Sequence, residues 1–401
     1  MPKSVFPKRI IEYMEDNLVI FTYAPAGLGH LRVTYALYEM LSKNVRALLI
    51  GSDDKFIASL HRFSSINPLA RKIMEFSQNG FPQEVFTNIY GWVLRSRSRN
   101  VYFKILDVVS HQIEKPKRIT IICTHFGLAH QIAEVKGKLR KNLGVPITLE
   151  VYVTDDTSQY IWYVYGADLI VVPSHKVKNE LILYAKRKGL PQVNIKVSRY
   201  PISPNLTIKL SKDKYLKRLE MLSLDNKRDI NVCVPVSGAA VATKFSEDLI
   251  RELHKLSKRF RFFVVSKEVA FTFRFLEVMK SLNYVVVVSA KTDLDVVKSY
   301  EDIYEKNVIA LEVTKPSEQA FKALCGPKEV GGSVLLFSEP VGRQEKDNLD
   351  FLIRRGLIPK RGLILPKGSK ESALFIYDKL RSGAFEDMSD TGSRTNRAGP
   401  D

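Results

Sequence analysis

The apolar positions of this chain fall into two alternating rhythms. Short runs rich in β-branched residues recur at Leu18–Phe21, Val45–Ile50, Ile119–Cys123, Ile147–Val153, Leu169–Val172 and Ile195–Val197. A second series follows at Ile230–Val236, Phe260–Val265, Tyr284–Val288, Val308–Val313, Val334–Phe337 and Gly362–Leu365. Longer stretches with helical spacing lie between them, among them Val33–Leu41, Lys176–Lys188 and Glu247–Ser257. Strands that are apolar throughout must be covered on both faces, so the pattern predicts parallel sheets flanked by helices.

The charged stretch 211–229 separates the two series and predicts two doubly wound α/β domains in tandem. The expected boundaries are 1–203 for the first domain, 204–228 for a connector and 229–385 for the second domain. The polar tail 386–401 lacks periodicity and is expected to be disordered. A chain of 401 residues exceeds the usual size of a single core, which agrees with two domains.

Charge and cysteine usage add to this picture. The formal net charge is +19, an excess that attracts nucleotide phosphates, an acidic membrane face or nucleic acid. No RNA- or DNA-binding motif is present, so nucleic acid is the least favoured partner. Cys123, Cys233 and Cys325 are far apart and each sits in or beside an apolar run. They are expected to be reduced core residues. No apolar run approaches the roughly 18–20 residues that span a bilayer, and the N-terminus lacks a signal-peptide core. A cytoplasmic protein is expected.

Candidate chemistry begins after the first strand, where Gly27-Leu28-Gly29 delivers His30 to the start of a helix. Three readings compete. In a dinucleotide fingerprint Asp53 or Asp54 would be the ribose acid, but Arg32 occupies the place of the third glycine. In the second reading the glycines make a tight turn and His30 caps the helix. In the third, the loop carries His30 to the carboxyl edge of a parallel sheet, where open α/β folds bind ligands. A helix N-terminus biases the imidazole towards its neutral form, as a general base requires.

The order strand, small loop, Gly-x-Gly-His, helix resembles the opening of two-domain GT-B glycosyltransferases acting on membrane lipids. The likeness is to processive diacylglycerol glucosyltransferases and monogalactosyldiacylglycerol synthases, and more distantly to the peptidoglycan N-acetylglucosaminyltransferase. Three further segments carry it: "VYVTDDTSQYIWYVYGADLIVVPS", "VSRYPISPNL", and "VTKPSEQAFKAL" followed by "EPVGRQEKDNLDFLIRRGLI". Together they cover roughly residues 17–370 in order. The resemblance implies a donor-binding second domain, an acceptor-binding first domain and a ligand cleft between them. It also implies hexose transfer from a nucleotide diphosphate sugar, a UDP-sugar, to a lipid or lipid-linked hydroxyl. The place would be the cytoplasmic membrane face, and the stereochemistry inverting.

Several positions depart from the family pattern. Gln159 stands where the family usually has a histidine, with Asp155 and Trp162 retained. Ser317-Glu318 replaces a glycine pair, which re-aims the phosphate cradle, and the family's ribose-binding glutamate falls near Ala323. The glycine-rich loop of the second domain is reduced to Ser237-Gly238-Ala239-Ala240.

Sugar transfer needs a base at the acceptor and stabilisation of the leaving diphosphate. His30 is the candidate base, held by an acceptor loop of Gly27 and Gly29, with Gln159 nearby. Asp155 could orient His30, take the proton itself, or merely cap a helix. Trp162 is expected in the core. In the second domain Ser237, Gly238, Ser317 and Glu318 are the phosphate candidates, with Lys315 supplying charge. Gln344 and Glu345 would hold sugar hydroxyls and Asn348 would brace their turn, although "RQEKDN" also reads as a solvated helix start. No cofactor or metal is expected, because Asp155-Asp156 lacks the surrounding ligands of a dedicated site.

Residues 88–106 mix the aromatics Tyr90, Trp92, Tyr102 and Phe103 with the basic Arg95, Arg97, Arg99 and Lys104. That mixture suits peripheral contact with an anionic membrane, or else a helix packed on the first domain. The altered donor motifs leave a second function class open: a binding or scaffold subunit that kept the fold and lost donor chemistry.

Overall fold

The computed structural model describes residues 17–24, 28–51, 80–223, 225–236, 242–359 and 363–390. Gly27, Asp53, Asp54, Ser237, Gly238 and the tail from 391 onward lie outside the described residues. The chain divides into two compact units between Pro201 and Ile202.

In the first unit the elements run β1 (Asn17–Tyr23), α1 (Leu28–Glu39), β2 (Arg46–Gly51), α2 (Gly80–Ser96), α3 (Arg99–Ser110), β3 (Arg118–Cys123) and α4 (Phe126–Leu143). They continue as β4 (Ile147–Tyr152), β5 (Leu169–Val172), α5 (His175–Lys188) and β6 (Asn194–Val197). The six strands form one parallel sheet in the order β2-β1-β3-β4-β5-β6. The chain steps one way from β1 to β2, then returns to the other side for β3. The direction therefore reverses between β1 and β3, and the carboxyl ends of these strands form the crevice where such sheets bind ligands.

The core explains the apolar residues on one face of this sheet. Ile20, Ile119, Ile121, Leu149, Val151 and Ile170 are buried in one cluster with residues of the covering helices, such as Leu94, Ile105, Ile132 and Leu181. Truncating one of them, for instance Ile121→Ala, removes transfer energy and leaves a cavity, a loss of about 2–5 kcal/mol.

The second unit contains α6 (Lys212–Leu222), β7 (Ile230–Pro235), α7 (Thr243–Leu256), β8 (Phe260–Lys267), α8 (Phe273–Lys280), β9 (Val285–Ala290), α9 (Asp293–Lys306) and β10 (Leu311–Thr314). It ends with β11 (Val334–Phe337), α10 (Gly342–Arg354), α11 (Ser369–Arg381) and α12 (Ala384–Asp390). Its parallel sheet has the order β11-β10-β7-β8-β9, so its reversal lies between β7 and β10. Both units are doubly wound, as the two apolar series predict.

Three details differ from the sequence expectations. Of the run Gly362–Leu365, Gly362 lies outside the described residues and residues 363–365 form no strand: Ile364 makes a single bridge to Phe337, and Pro366, which has no N–H to donate, follows at once. The stretch 204–228, expected as a connector, packs on the second unit. There Arg218 is buried and donates to the carbonyls of Pro327 at 2.8 Å, Glu329 at 2.8 Å and Val330 at 2.7 Å. Residues 386–390 of the expected disordered tail are helical, because α12 packs against α6 and α11. The three cysteines are buried and unbridged, as expected.

Candidate functional site

The carboxyl edge of the first sheet concentrates buried polar side chains. His30 sits in the first turn of α1, whose buried residues Leu28, Leu31, Val33, Ala36 and Leu37 hold the helix against the sheet. The carbonyl of His30 lies 2.8 Å from the Thr34 hydroxyl and 3.0 Å from the Thr124 hydroxyl, and these two hydroxyls are 2.6 Å apart. Two side chains from different elements thus pin the backbone that carries the imidazole.

The ring is held as firmly. His30 Nδ1 lies 3.1 Å from Thr154 Oγ1, and the same hydroxyl is 3.1 Å from Asp155 Oδ2. Thr154 and Asp155 follow β4 directly and are fully buried. Tyr200 donates to the carbonyl of Thr154 at 2.9 Å. Asp156 accepts from Ser174, the residue capping α5, so the two acidic neighbours serve different partners. Ser174 itself accepts from the N–H of Val177 and so caps α5.

His125, absent from the sequence-level candidates, meets His30 across the crevice. It follows β3, and its ring packs edge-on against His30 with centroids 4.9 Å apart. Its Nδ1 accepts the N–H of Gly127 at 3.2 Å, capping α4. A Cβ on Gly127 would stand 2.9 Å from Cε1 of His125, so glycine is what lets this ring come so close. The signal was a histidine directly after a strand, in "IICTHFGLAH". Trp162 is buried as expected, 6.3 Å from His30 and 5.5 Å from Phe126 between ring centroids.

Gln159 lies at the start of the short 3-10 turn Tyr160–Trp162, and its amide nitrogen is buried without a hydrogen-bond partner. On α4, His130 donates from Nε2 to the carbonyl of Ile161 at 2.9 Å. Burial lowers its pKa to about 4, so the ring is neutral near pH 7.

The second sheet presents a different edge. After β10, Lys315 lies 3.7 Å from Glu345, which also accepts the N–H of Val341 at 2.7 Å. Burial raises the Glu345 pKa, and Lys315 opposes that shift. Asn348 is buried and donates to the carbonyl of Pro316 at 3.3 Å, so it ties α10 to the Lys315 turn. Gln344 is half-buried beside Glu345. Gly342 opens α10 at φ +77°, where a side chain would be strained. The "RQEKDN" segment is therefore anchored to the β10 turn through Glu345 and Asn348 rather than being a plain solvated helix start.

Ser317 and Glu318 are half-buried at the start of a 3-10 segment, Glu318–Leu324. Its later polar residues turn inward. Glu312 on β10, fully buried, accepts from Tyr300 at 2.7 Å and Gln319 at 2.9 Å, and also from Tyr304 and Lys322. Lys322 also donates to Ser333 at 3.0 Å. Ala323 is buried. Just ahead of α7, Ala242 adopts φ +67°, the one non-glycine positive φ among the described residues. Among the described residues no group of three His, Cys, Asp or Glu side chains is gathered as a metal site would require.

Residues 88–106 span the end of α2 and most of α3. Arg95 is committed to the first domain: it donates to the carbonyl of Tyr165 at 2.7 Å, pairs with Glu134 at 3.3 Å and stacks 3.7 Å over the Tyr165 ring. Only 11% of its side chain is exposed, so it is not a membrane contact as expected. Trp92 is 72% exposed, and it shares one face of α2 with Ile89 at 61% and Val85 at 43%. Arg99 lies over Phe103, with 5.7 Å to the ring centroid. No helix among the described residues is long and apolar enough to cross a membrane.

No family profile matches the chain, and no curated protein matches its sequence. Solved structures do share its fold. S. aureus MnaA, solved with UDP, is 12% identical with a TM-score of 0.50, over 96% of this chain and 93% of that one. Arabidopsis thaliana UGT89C1, solved with UDP-L-rhamnose, is 12% identical with a TM-score of 0.49, over 95% and 94%. Two tandem doubly wound domains of this kind constitute the GT-B fold.

Proposed function

We propose that the protein transfers a hexose from a nucleotide diphosphate sugar, a UDP-sugar, to a hydroxyl of a lipid or lipid-linked acceptor. The observation that carries this reading is His30, fixed at the strand-order reversal of the first sheet with Nδ1 on Thr154. In the reaction the acceptor oxygen forms a bond to the anomeric carbon while the bond from that carbon to the diphosphate oxygen breaks. The acceptor proton passes to His30, and the leaving nucleoside diphosphate keeps the electron pair. Attack opposite the leaving group inverts the anomeric centre.

Lys315, held near α10 by Glu345, supplies positive charge for the diphosphate, with Ser237, Gly238, Ser317 and Glu318 as hydrogen-bonding partners. Gln344 and Glu345 are assigned to the donor sugar. The unpaired amide nitrogen of Gln159 is a donor suited to an acceptor hydroxyl. Support for the diacylglycerol glucosyltransferase likeness comes from the ordered motifs, and support for a UDP donor comes from S. aureus MnaA, solved with UDP.

The membrane assignment rests on α2, where Val85, Ile89 and Trp92 expose apolar surface, and on the exposed Arg97 and Arg99 that follow it in the chain. The proposed location is the cytoplasmic face of the cell membrane, on its anionic surface. Replacing Ile89 and Trp92 with serine should weaken sedimentation with anionic vesicles at any salt. Replacing Arg97 and Arg99 with glutamine should weaken it mainly at low salt. Unchanged sedimentation of both variants would remove this contact.

A specific observation favours the scaffold alternative: Gln319 and Lys322, at the donor turn, face the buried Glu312 instead of a ligand. Calorimetric titration with UDP, other nucleoside diphosphates and their sugar conjugates decides between the two. A true donor at 100 times its dissociation constant should stabilise the fold by about 2.7 kcal/mol. No binding by any of them would leave the scaffold reading standing.

A further inference from the structure

We propose that Thr154 is a positioning residue, a hydroxyl relay that fixes which nitrogen of His30 carries the proton by passing the field of Asp155 to the ring. The inference deepens the reading of His30 as the base and rests on it. Its argument is proton bookkeeping on a short chain of atoms. Thr154 Oγ1 lies 3.1 Å from Asp155 Oδ2 and 3.1 Å from His30 Nδ1. A hydroxyl has one proton to donate, and an ionised carboxylate can only accept. The threonine proton therefore goes to Asp155, and the hydroxyl oxygen must accept from His30. That puts a proton on Nδ1 and the lone pair of the neutral ring on Nε2.

The neighbouring histidines are set the other way. His125 accepts a backbone N–H at Nδ1, and His130 faces a carbonyl with Nε2, so both neutral rings carry their proton on Nε2. Of these three buried imidazoles His30 is the one held in the Nδ1–H form; the exposed His111, at the end of α3, also turns Nδ1 to a carbonyl, that of Asp107 at 2.8 Å. When Nε2 takes the acceptor proton, the positive charge on the ring strengthens the Nδ1–H bond to Thr154, with the Asp155 carboxylate one hydroxyl away. Thr154 is fully buried and its backbone is anchored by Tyr200, so the hydroxyl is positioned before substrate arrives.

The test reads the tautomer without substrate. In full-length protein labelled with ¹⁵N-histidine, long-range proton–nitrogen correlation at neutral pH distinguishes protonated from unprotonated ring nitrogens, with His30→Gln assigning the His30 signals. The expected result is Nδ1–H for His30 in the parent and in T154S, and loss of that form in T154V. The His125 and His130 signals should remain Nε2–H in every variant, which checks folding. Should T154V fold poorly, T154A removes the same hydroxyl. A His30 ring protonated on Nε2 in the parent, or unchanged in T154V and T154A, overturns the relay whether or not sugar transfer is found. If transfer is measured, T154V should lower kcat about 10²-fold with KM unchanged, and T154S should restore it. Absence of transfer in the parent would count against the proposed function and leave the tautomer result intact.

Discussion

The two sheets share one topology and spend their buried polar groups in opposite ways. At the carboxyl edge of the first sheet, buried hydroxyls, a carboxylate and two imidazoles converge on the reversal between β1 and β3, with His30 at their centre. Beside the second reversal, the most deeply buried polar groups face inward. Glu312, Lys322, Tyr300, Tyr304, Gln319 and Ser333 satisfy one another, and they brace the 3-10 segment behind the Lys315 turn. A polar cluster that closes on itself holds a fold, whereas one arranged around a ring at a sheet edge fixes the position of that ring.

This contrast can be broken at several points. The largest effect is expected at His30. Replacement by alanine should lower transfer by about 10²–10⁴-fold while leaving nucleotide affinity near the parent value. Steady-state kinetics, calorimetry and a circular-dichroism control check this together, and transfer at the parent rate would leave His30 as a helix residue only.

In the second domain, Lys322→Met should act on stability. It leaves the Glu312 carboxylate buried without its cation, which costs about 3–5 kcal/mol in urea unfolding. In the parent, the Lys322 ammonium and the surrounding donors outweigh burial and hold the Glu312 pKa below its ordinary value. The stability from Glu312 is therefore present above the unfolded carboxyl pKa and is lost as pH falls through the lower folded value. A variant as stable as the parent would show that the network is dispensable.

His130 gives an acid dependence of a different origin. Burial lowers its pKa from 6.5 to about 4, so the unfolded chain binds the proton more readily over that interval. Stability of the first domain should fall as pH drops from about 6.5 to 4, by about 3 kcal/mol in total. The loss should be absent in His130→Gln, as measured by denaturant unfolding across that range.

The smallest expected effect is at Ala242. Its φ of +67° is a strained setting for a side chain, and glycine relieves it. Ala242→Gly should stabilise the second domain by about 1 kcal/mol, seen as a higher unfolding midpoint. Unchanged or lower stability would mean that the chain's freedom in the unfolded state outweighs the strain.

Periodicity alone was enough to reveal eleven of the strands and their parallel character, because central strands buried on both faces must be apolar at every position, although the edge strand β9 leaves Val286 exposed. It failed at residues 363–365, where an apolar run finds only one bridge before a proline. Arg218 reads as part of a charged connector, yet three carbonyls take its guanidinium into the interior. Arg95 reads as a headgroup contact, yet Tyr165 and Glu134, far along the chain, claim it. The position of His30 in the first turn of a helix after a strand was legible from local sequence. Thr154 and His125 were not, since their roles depend on which strands stand side by side. The sequence by itself determined the doubly wound architecture, through short-range rhythm. Only the tertiary structure decided which buried polar groups meet, because β1, β3 and β4 bring together residues separated by up to 124 positions.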